Sequence, residues 1–500
     1  MDVPADLPAG TRRARGAVKV IDLLWTHLGA IAGFGLAVFV VLKLLRQRHR
    51  PSVTFSWLLG MAVLPWVVAP LYLVLGGRKL RQAVARATEL AGRRRPPGVD
   101  EPDVPLEGLQ RLLARDGLPP ARPGNDFEFL GDGETAHARL TELLRGARHS
   151  IHVTTFILAR DDVARHYVEL LARKAAEGVE VRLLVDALGS FLSRGRFLDP
   201  LRAAGGRVAS FMPMLPLSRR SSANLRNHRK LVVVDGETAW VAGMNLAGEY
   251  LGSSPAAGLS SGGTDAGADG RGPAPHLWLD TAAVLTGPVA ADLEAVFASD
   301  WTFATGEGLD APPTPAARPG GDLVAQVVPS GPDVPSDGVA DVVLSGIADA
   351  RRRIWLVTPY FVPDDTLLRS LTLQARMGRD VRLIVPRRSD HPLVDLARCR
   401  FLRELLAAGA TVRSVPDRMV HAKLAVFDDH LAVLGSANLD LRSLYLNFEI
   451  SVLLHSPAAV GEVCAWIERL DALAQDHTPP RAGLLRTWTE DLAVLISPLL

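Results

Sequence analysis

The chain has 500 residues, enough for two or more folded units, with 48% hydrophobic residues, 22% charged residues and a formal net charge of +2. A near-neutral balance argues against a protein that coats nucleic acid, and a mean hydropathy of +0.15 argues against a purely water-soluble chain. Two cysteines, Cys399 and Cys464, and no zinc-type Cys/His spacing argue against a disulfide scaffold or a structural metal site.

Residues 1–17 form a basic tail with Arg12, Arg13 and Arg15. The stretch 23–42 is apolar almost throughout, which predicts a first transmembrane helix over 18–45, with Lys43 able to snorkel at its end. A cleaved signal peptide is disfavoured, because no small-residue cleavage site follows and a second apolar segment does. That segment, 53–76, carries no charge and predicts a second transmembrane helix over 51–76. Pro65 and Pro70 would kink it, and Trp57, Trp66 and Tyr72 suit the membrane interfaces. Two spans return the chain to its starting side. Arg78, Lys79, Arg81, Arg86 and Arg93 to Arg95 favour a cytoplasmic body lying against anionic headgroups; Arg46, Arg48 and Arg50 in the connecting loop oppose it. The heavier cluster decides for the cytoplasm.

Residues 77–125 read as a basic, Pro/Arg-rich linker with one short helix. A duplication follows. Ser150-Ile151-His152-Val153-Thr154-Thr155 echoes Arg353-Ile354-Trp355-Leu356-Val357-Thr358, and Gly178-Val179-Glu180-Val181-Arg182-Leu183 echoes Gly378-Arg379-Asp380-Val381-Arg382-Leu383. The first repeat runs over 126–305 and the second over 323–480, with 306–322 as a Pro/Gly/Ala-rich linker. A Gly/Ser-rich insertion at 252–275 interrupts the first repeat and reads as a flexible surface loop. Each half alternates strand and helix, the pattern of an α/β fold with mixed sheets. Two such halves would be related by a pseudo-two-fold axis. The apolar tail 481–500 is too short to span a bilayer and suits docking on the body or dipping into the interface.

Each repeat ends in the same chemistry. Asn227-His228-Arg229-Lys230-Leu231-Val232-Val233-Val234-Asp235 and Val420-His421-Ala422-Lys423-Leu424-Ala425-Val426-Phe427-Asp428 both read His-x-Lys-x4-Asp. In an extended chain alternate side chains share a face, so His and Lys of each copy point the same way. A His whose other ring nitrogen is held by an acceptor can attack phosphorus, and a Lys beside it neutralises the phosphate oxygens. A second His can protonate the leaving alcohol. One copy arises by chance in roughly a few per cent of chains this long; two copies do so far more rarely. Asn245 and Asn438 follow the two His at the same offset and suit donation to the same oxygens. Asp235 and Asp428, at the far end of each motif strand, read as anchors of the fold. Glu449, in the apolar run Phe448-Glu449-Ile450, needs a partner there and is expected to orient His421; Asp280 is its counterpart for His228.

These doubled motifs resemble the phospholipase D superfamily, and the surrounding text is similar to its bacterial cardiolipin synthases. The matching stretches are Asn224-Leu225-Arg226-Asn227-His228-Arg229-Lys230, Thr358-Pro359-Tyr360-Phe361-Val362-Pro363-Asp364, Asn438-Leu439-Asp440-Leu441-Arg442-Ser443 and Leu446-Asn447-Phe448-Glu449-Ile450. The resemblance implies two phospholipase D-like repeats behind two transmembrane helices, in a multi-pass enzyme of the cell membrane. It also implies phosphatidyl transfer between two phosphatidylglycerol molecules through a phosphohistidine, with cardiolipin as product. His228, Lys230, Asp235, His421, Lys423 and Asp428 form the catalytic motif set. By resemblance His228 is the nucleophile and His421 the acid, then the base; the spacing alone leaves that order open. No cofactor or metal is implied, since Lys and His supply the positive charge. Ala242, Thr154 and Gly248 depart from the family's usual residues, without touching the core chemistry. The rivals are a hydrolytic phospholipase D, or a phosphatidyltransferase with another donor or alcohol. A nuclease is disfavoured by the apolar segments and the lack of a basic surface.

Overall fold

The computed structural model describes residues 108–213, 225–252, 277–309, 314–334, 336–481 and 483–496, and before them His27, 33–36, 38–39, 41–42, 57–62, 64, 66 and 68. The basic tail 1–17, most of the two apolar segments, residues 77–107, the stretch 253–275 and the last residues 497–500 lie outside the described residues. The chain divides into two compact units, Met1–Lys79 and Leu80–Leu500.

In the first unit the described positions of both apolar stretches are helical except Leu64. Met61 is buried against Leu36, Val41, Trp57, Leu58 and Val68, so the two stretches pack on one another. Phe34, Phe39, Leu59 and Trp66 point outward. Among the described residues no helix is long and apolar enough to cross a membrane.

The second unit is built on one sheet of 15 strands. The first repeat supplies β1 (Arg122–Leu130), β2 (Ser150–Thr155), β3 (Glu180–Asp186), β4 (Arg207–Phe211), β5 (Leu231–Val234), β6 (Thr238–Ala242) and β7 (Ala282–Thr286). The second supplies β8 (Leu323–Ser330), β9 (Arg353–Val357), β11 (Asp380–Pro386), β12 (Thr411–Val415), β13 (Leu424–Phe427), β14 (Leu431–Gly435) and β16 (Glu449–Leu454). β10 (Phe361–Val362) and β15 (Leu439–Asp440) pair apart from it, and β17 (Gln475–Asp476) edges β12. Outward from the central β1–β8 pair the order is β7, β6, β5, β2, β3, β4 on one side and β16, β14, β13, β9, β11, β12 on the other. The two halves thus mirror one another in strand order, as a pseudo-two-fold axis requires. Antiparallel pairing of β1 with β8 fuses the strands of both halves into one sheet. Within each half the outer strands run parallel and the inner ones antiparallel, which makes the sheet mixed.

Local chemistry starts the helices. Asp132 accepts from the Thr135 amide at 2.8 Å to open α2 (Gly133–Gly146), after the short linker helix α1 (Gly108–Arg115). Asp161 caps α3 (Asp162–Ala176) in the same way. The first repeat continues with α4 (Asp199–Ala203) and α5 (Val289–Thr305). The second repeat carries α6 (Gly338–Asp349), α7 (Asp365–Arg376), α8 (Pro392–Ala407), α9 (Leu441–Tyr445) and α10 (Pro457–Leu473). One apolar core, with Phe297, Trp301, Phe448 and Trp466, runs through both repeats; the opposite face carries a separate core for each. The tail forms α11 (Leu484–Ile496), which docks on α8 through Arg403 and Glu490.

The linker's sequence boundary moves slightly, since β1 already starts at Arg122. The motif strands also begin after the Lys of each motif, so His228, Lys230, His421 and Lys423 lie in the irregular segments that lead into β5 and β13.

Candidate active site

The approach to each motif is stitched to the other repeat. Asn227 bridges to Phe448 and Leu279 to Val420. The His228 amide donates to the Phe448 carbonyl at 2.8 Å, and the His421 amide to the Leu279 carbonyl at 2.7 Å. These straps bring His228 and His421 into one cleft of about 960 Å³, open mouth included, shared with Asn245, Asn438, Arg226, Arg442, Tyr250 and Tyr360.

The straps also decide the carboxylates, and they correct the expected pairing. His228 Nδ1 lies 3.0 and 3.1 Å from the two oxygens of Glu449. His421 Nδ1 lies 2.6 Å from Asp280 Oδ2. Each imidazole is therefore held by a carboxylate of the opposite repeat. The cause is the crossing: Phe448 pairs beside Asn227 and so delivers Glu449 to His228, while Leu279 pairs beside Val420 and delivers Asp280 to His421. Both carboxylates are fully buried. Burial pushes Glu449 up, but the facing His228 and Lys230 and the Ser436 hydroxyl outweigh it, and its pKa ends below the ordinary value. Burial likewise opposes Asp280, and Lys423 and His421 outweigh it.

With Nδ1 engaged, each ring turns Nε2 to the cleft. Burial lowers the His228 pKa, Glu449 raises it and Lys230 adds to the lowering; the net direction is down. His421 falls to about 3, through burial and then the Lys423 charge. Both shifts favour the neutral ring. Lys230 donates to the His228 carbonyl at 2.8 Å, and Lys423 to that of His421, with its Nζ 3.7 Å from Asp280. Burial lowers both lysines, Lys423 to about 8.

Asn245 and Asn438 both line the cleft. Asn245 Oδ1 accepts from the Ile157 amide at 3.1 Å, which leaves its amide nitrogen for other acceptors. Asp235 and Asp428 are elsewhere. Asp235 accepts the amides of Arg148, His149 and Ser150, and Asp428 those of Arg351, Arg352 and Arg353. Both adopt positive φ, 54° and 51°, in the tight turn that ends the motif strand. They hold β2 and β9 beside β5 and β13 and take no part in the cleft.

Sequence reasoning passed over Arg229. Its Nε donates to the Glu449 carbonyl at 2.9 Å, its guanidinium pairs with Asp300 and with Asp333, and Asn227 Nδ2 donates to Asp300 at 2.9 Å. A charge beside an apolar strand needs such partners, and Asp300 in an apolar helix is the matching signal.

The strand order and doubled site define a protein of the phospholipase D-like class. A family model described as "Cardiolipin synthase, PLD-like domain" matches residues 140–254 and 343–470, one stretch in each repeat. A second, described as "Phospholipase_D-nuclease N-terminal", matches residues 35–77. The chain belongs to the cardiolipin synthase family. It is 31% identical over 467 residues to cardiolipin synthase 1 of Bacillus anthracis, covering 89% of this chain and 86% of that protein. It is 33% identical over 424 residues to cardiolipin synthase A of Pseudomonas entomophila (strain L48), covering 82% and 84%. The crystal structure of phosphatidylserine synthase from Haemophilus influenzae Rd KW20 shares the fold, with a TM-score of 0.55 at 15% identity over 78% of this chain and 96% of that one.

Proposed function

We propose that this chain is a membrane-anchored cardiolipin synthase that moves a phosphatidyl group from one phosphatidylglycerol to another. The observation that carries the reading is the pair of imidazoles, one from each repeat, in a single cleft, each with a buried lysine bonded to its own carbonyl. Relatives that bear the name align over most of the chain.

In this reading His228 Nε2 attacks the phosphorus of the first lipid. Glu449 on Nδ1 stabilises the positive charge the ring gains. The P–O bond to glycerol breaks, and His421 gives its proton to the departing oxygen. That proton is available because the bound phosphodiester, opposite in sign to Lys423, favours the charged form of His421. Lys230, Lys423 and the amides of Asn245 and Asn438 hold the non-bridging oxygens as charge builds on them. A hydroxyl of the second phosphatidylglycerol then loses its proton to His421 and attacks the phosphatidyl-His228. The P–N bond breaks, cardiolipin forms, and the net by-product is glycerol. Asp235 and Asp428 act only through the fold.

Anchoring by two spans, over 18–45 and 51–76, is supported by their composition, by the outward-facing Phe34, Phe39 and Trp66, and by the match to the N-terminal family model. The basic residues from Arg78 onward support a body on the cytoplasmic face of the cell membrane, against Arg46, Arg48 and Arg50 in the connecting loop.

Product analysis tests the reading. Pure protein in vesicles of phosphatidylglycerol should yield cardiolipin and glycerol in equal amounts by mass spectrometry. Phosphatidate without cardiolipin would replace the transferase with a hydrolase.

A further inference from the structure

The cleft is not electrically symmetric across the repeats. At matching positions after β3 and β11 the first repeat has Ser190 and the second Asp390. Ser190 turns its hydroxyl to the Phe156 carbonyl, at 2.9 Å. Asp390 lines the cleft instead. Its Oδ1 accepts the Tyr360 hydroxyl at 2.6 Å, and its Oδ2 lies 3.5 Å from His391 Nε2. The Tyr360 ring stands 6.4 Å from that of His421. A second acceptor faces the same space. Asn438 is 4% exposed and lines the cleft, and its Oδ1 has no hydrogen-bond partner among the described residues.

A carboxylate beside a site for an anion weakens binding of that anion unless it serves another part of the ligand. Acceptors on the wall require donors, and the donors of a neutral headgroup are its hydroxyls. Displacement in line fixes where those hydroxyls sit. If His228 attacks from one side, the alcohol oxygen leaves and enters on the opposite side, next to His421. That is the side where Asp390 and Tyr360 stand.

We propose that Asp390, positioned by Tyr360 and assisted by Asn438, is a polyol subsite that accepts a hydrogen bond from a free glycerol hydroxyl while the neighbouring oxygen leaves or attacks. The subsite rests on the family reaction proposed above and adds its choice of alcohol. It favours a polyol over a simple alcohol, because only the polyol has a further hydroxyl to donate.

The test is a competition. The full-length chain in vesicles is given cardiolipin as phosphatidyl donor, with glycerol and ethanol together as acceptors. The glycerol is deuterated, and mass spectrometry reads the ratio of deuterated phosphatidylglycerol to phosphatidylethanol, which leaves out the phosphatidylglycerol released from the donor. Both products come from one phosphatidyl-enzyme, so the ratio does not depend on how much protein is folded. Asp390→Asn is expected to lower the ratio about tenfold, the worth of one charge-assisted hydrogen bond, and Tyr360→Phe to lower it by less. Ratios equal to the wild type in both variants overturn the subsite and leave the reaction standing. A wild-type chain that transfers to neither alcohol overturns the reaction and the subsite with it.

Discussion

Ser436 and Gly243 occupy matching positions in the two repeats, and the carboxylates beside them account for the difference. A Cβ at Gly243 would lie 2.2 Å from Asp280 Oδ1, so only glycine lets that carboxylate reach His421. Ser436 instead donates its hydroxyl to Glu449 Oε2, at 2.5 Å. Gly243→Ala is therefore expected to push Asp280 off its ring and cut the transfer rate by roughly tenfold or more, measured as kcat on phosphatidylglycerol vesicles. Ser436→Ala loses one hydrogen bond to a buried carboxylate and should cost about 1 kcal/mol, roughly fivefold in rate. The lysines set the pH response. Lys423, held down to about 8 by burial, clamps phosphate only as the ammonium, so activity should fall as pH rises through about 8. A pH–rate profile that stays level well above that point would remove Lys423 from the clamp. His228→Ala removes the proposed nucleophile and should abolish transfer, while circular dichroism shows the fold retained.

At the scale of elements, the proposed active site is an exchange between two repeats. The loops before β5 and β13 each borrow backbone partners and a carboxylate from the other half. Arg229 locks one crossing: it joins the Glu449 carbonyl, Asp300 and Asp333, and Ala422 stands in its place in the second repeat. Arg229→Met leaves Asp300 buried without its cation, and burial already raises that carboxyl to about 6. A loss of about 3–5 kcal/mol in urea unfolding is expected; a loss under about 1 kcal/mol would show the strut is idle. The His, Lys and Asn pairs are legible in the sequence because a motif doubled at fixed spacing rarely arises by chance. The carboxylates are legible as residues, since an ionised side chain in an apolar run needs a partner. Their assignment is not, because it depends on which loop crosses the axis, and sequence proximity favours Glu449 for His421.

At the scale of the molecule, the duplication and the alternation of strand and helix carry the α/β plan, and strand order then follows from two equal halves. The fusion of both into one sheet is hidden, because β1 and β8 carry no signal that their edges meet. Gly124, at φ 78°, and the register shift beside it show how irregular that seam is. The apolar N-terminal segments and the catalytic body fall in separate compact units. A chain without residues 1–79 should leave the membrane fraction on flotation and still turn over detergent-dispersed phosphatidylglycerol. Loss of the fold on that truncation would show that the units depend on one another. The central claim is that two imidazoles, one from each repeat, share one phosphorus, with His228 carrying it between lipids. Rapid quenching at high pH during turnover, followed by peptide mass spectrometry, reads this most directly. The phosphatidyl group is expected on the peptide that holds His228; finding it on His421, or on neither peptide while cardiolipin accumulates, would contradict the account.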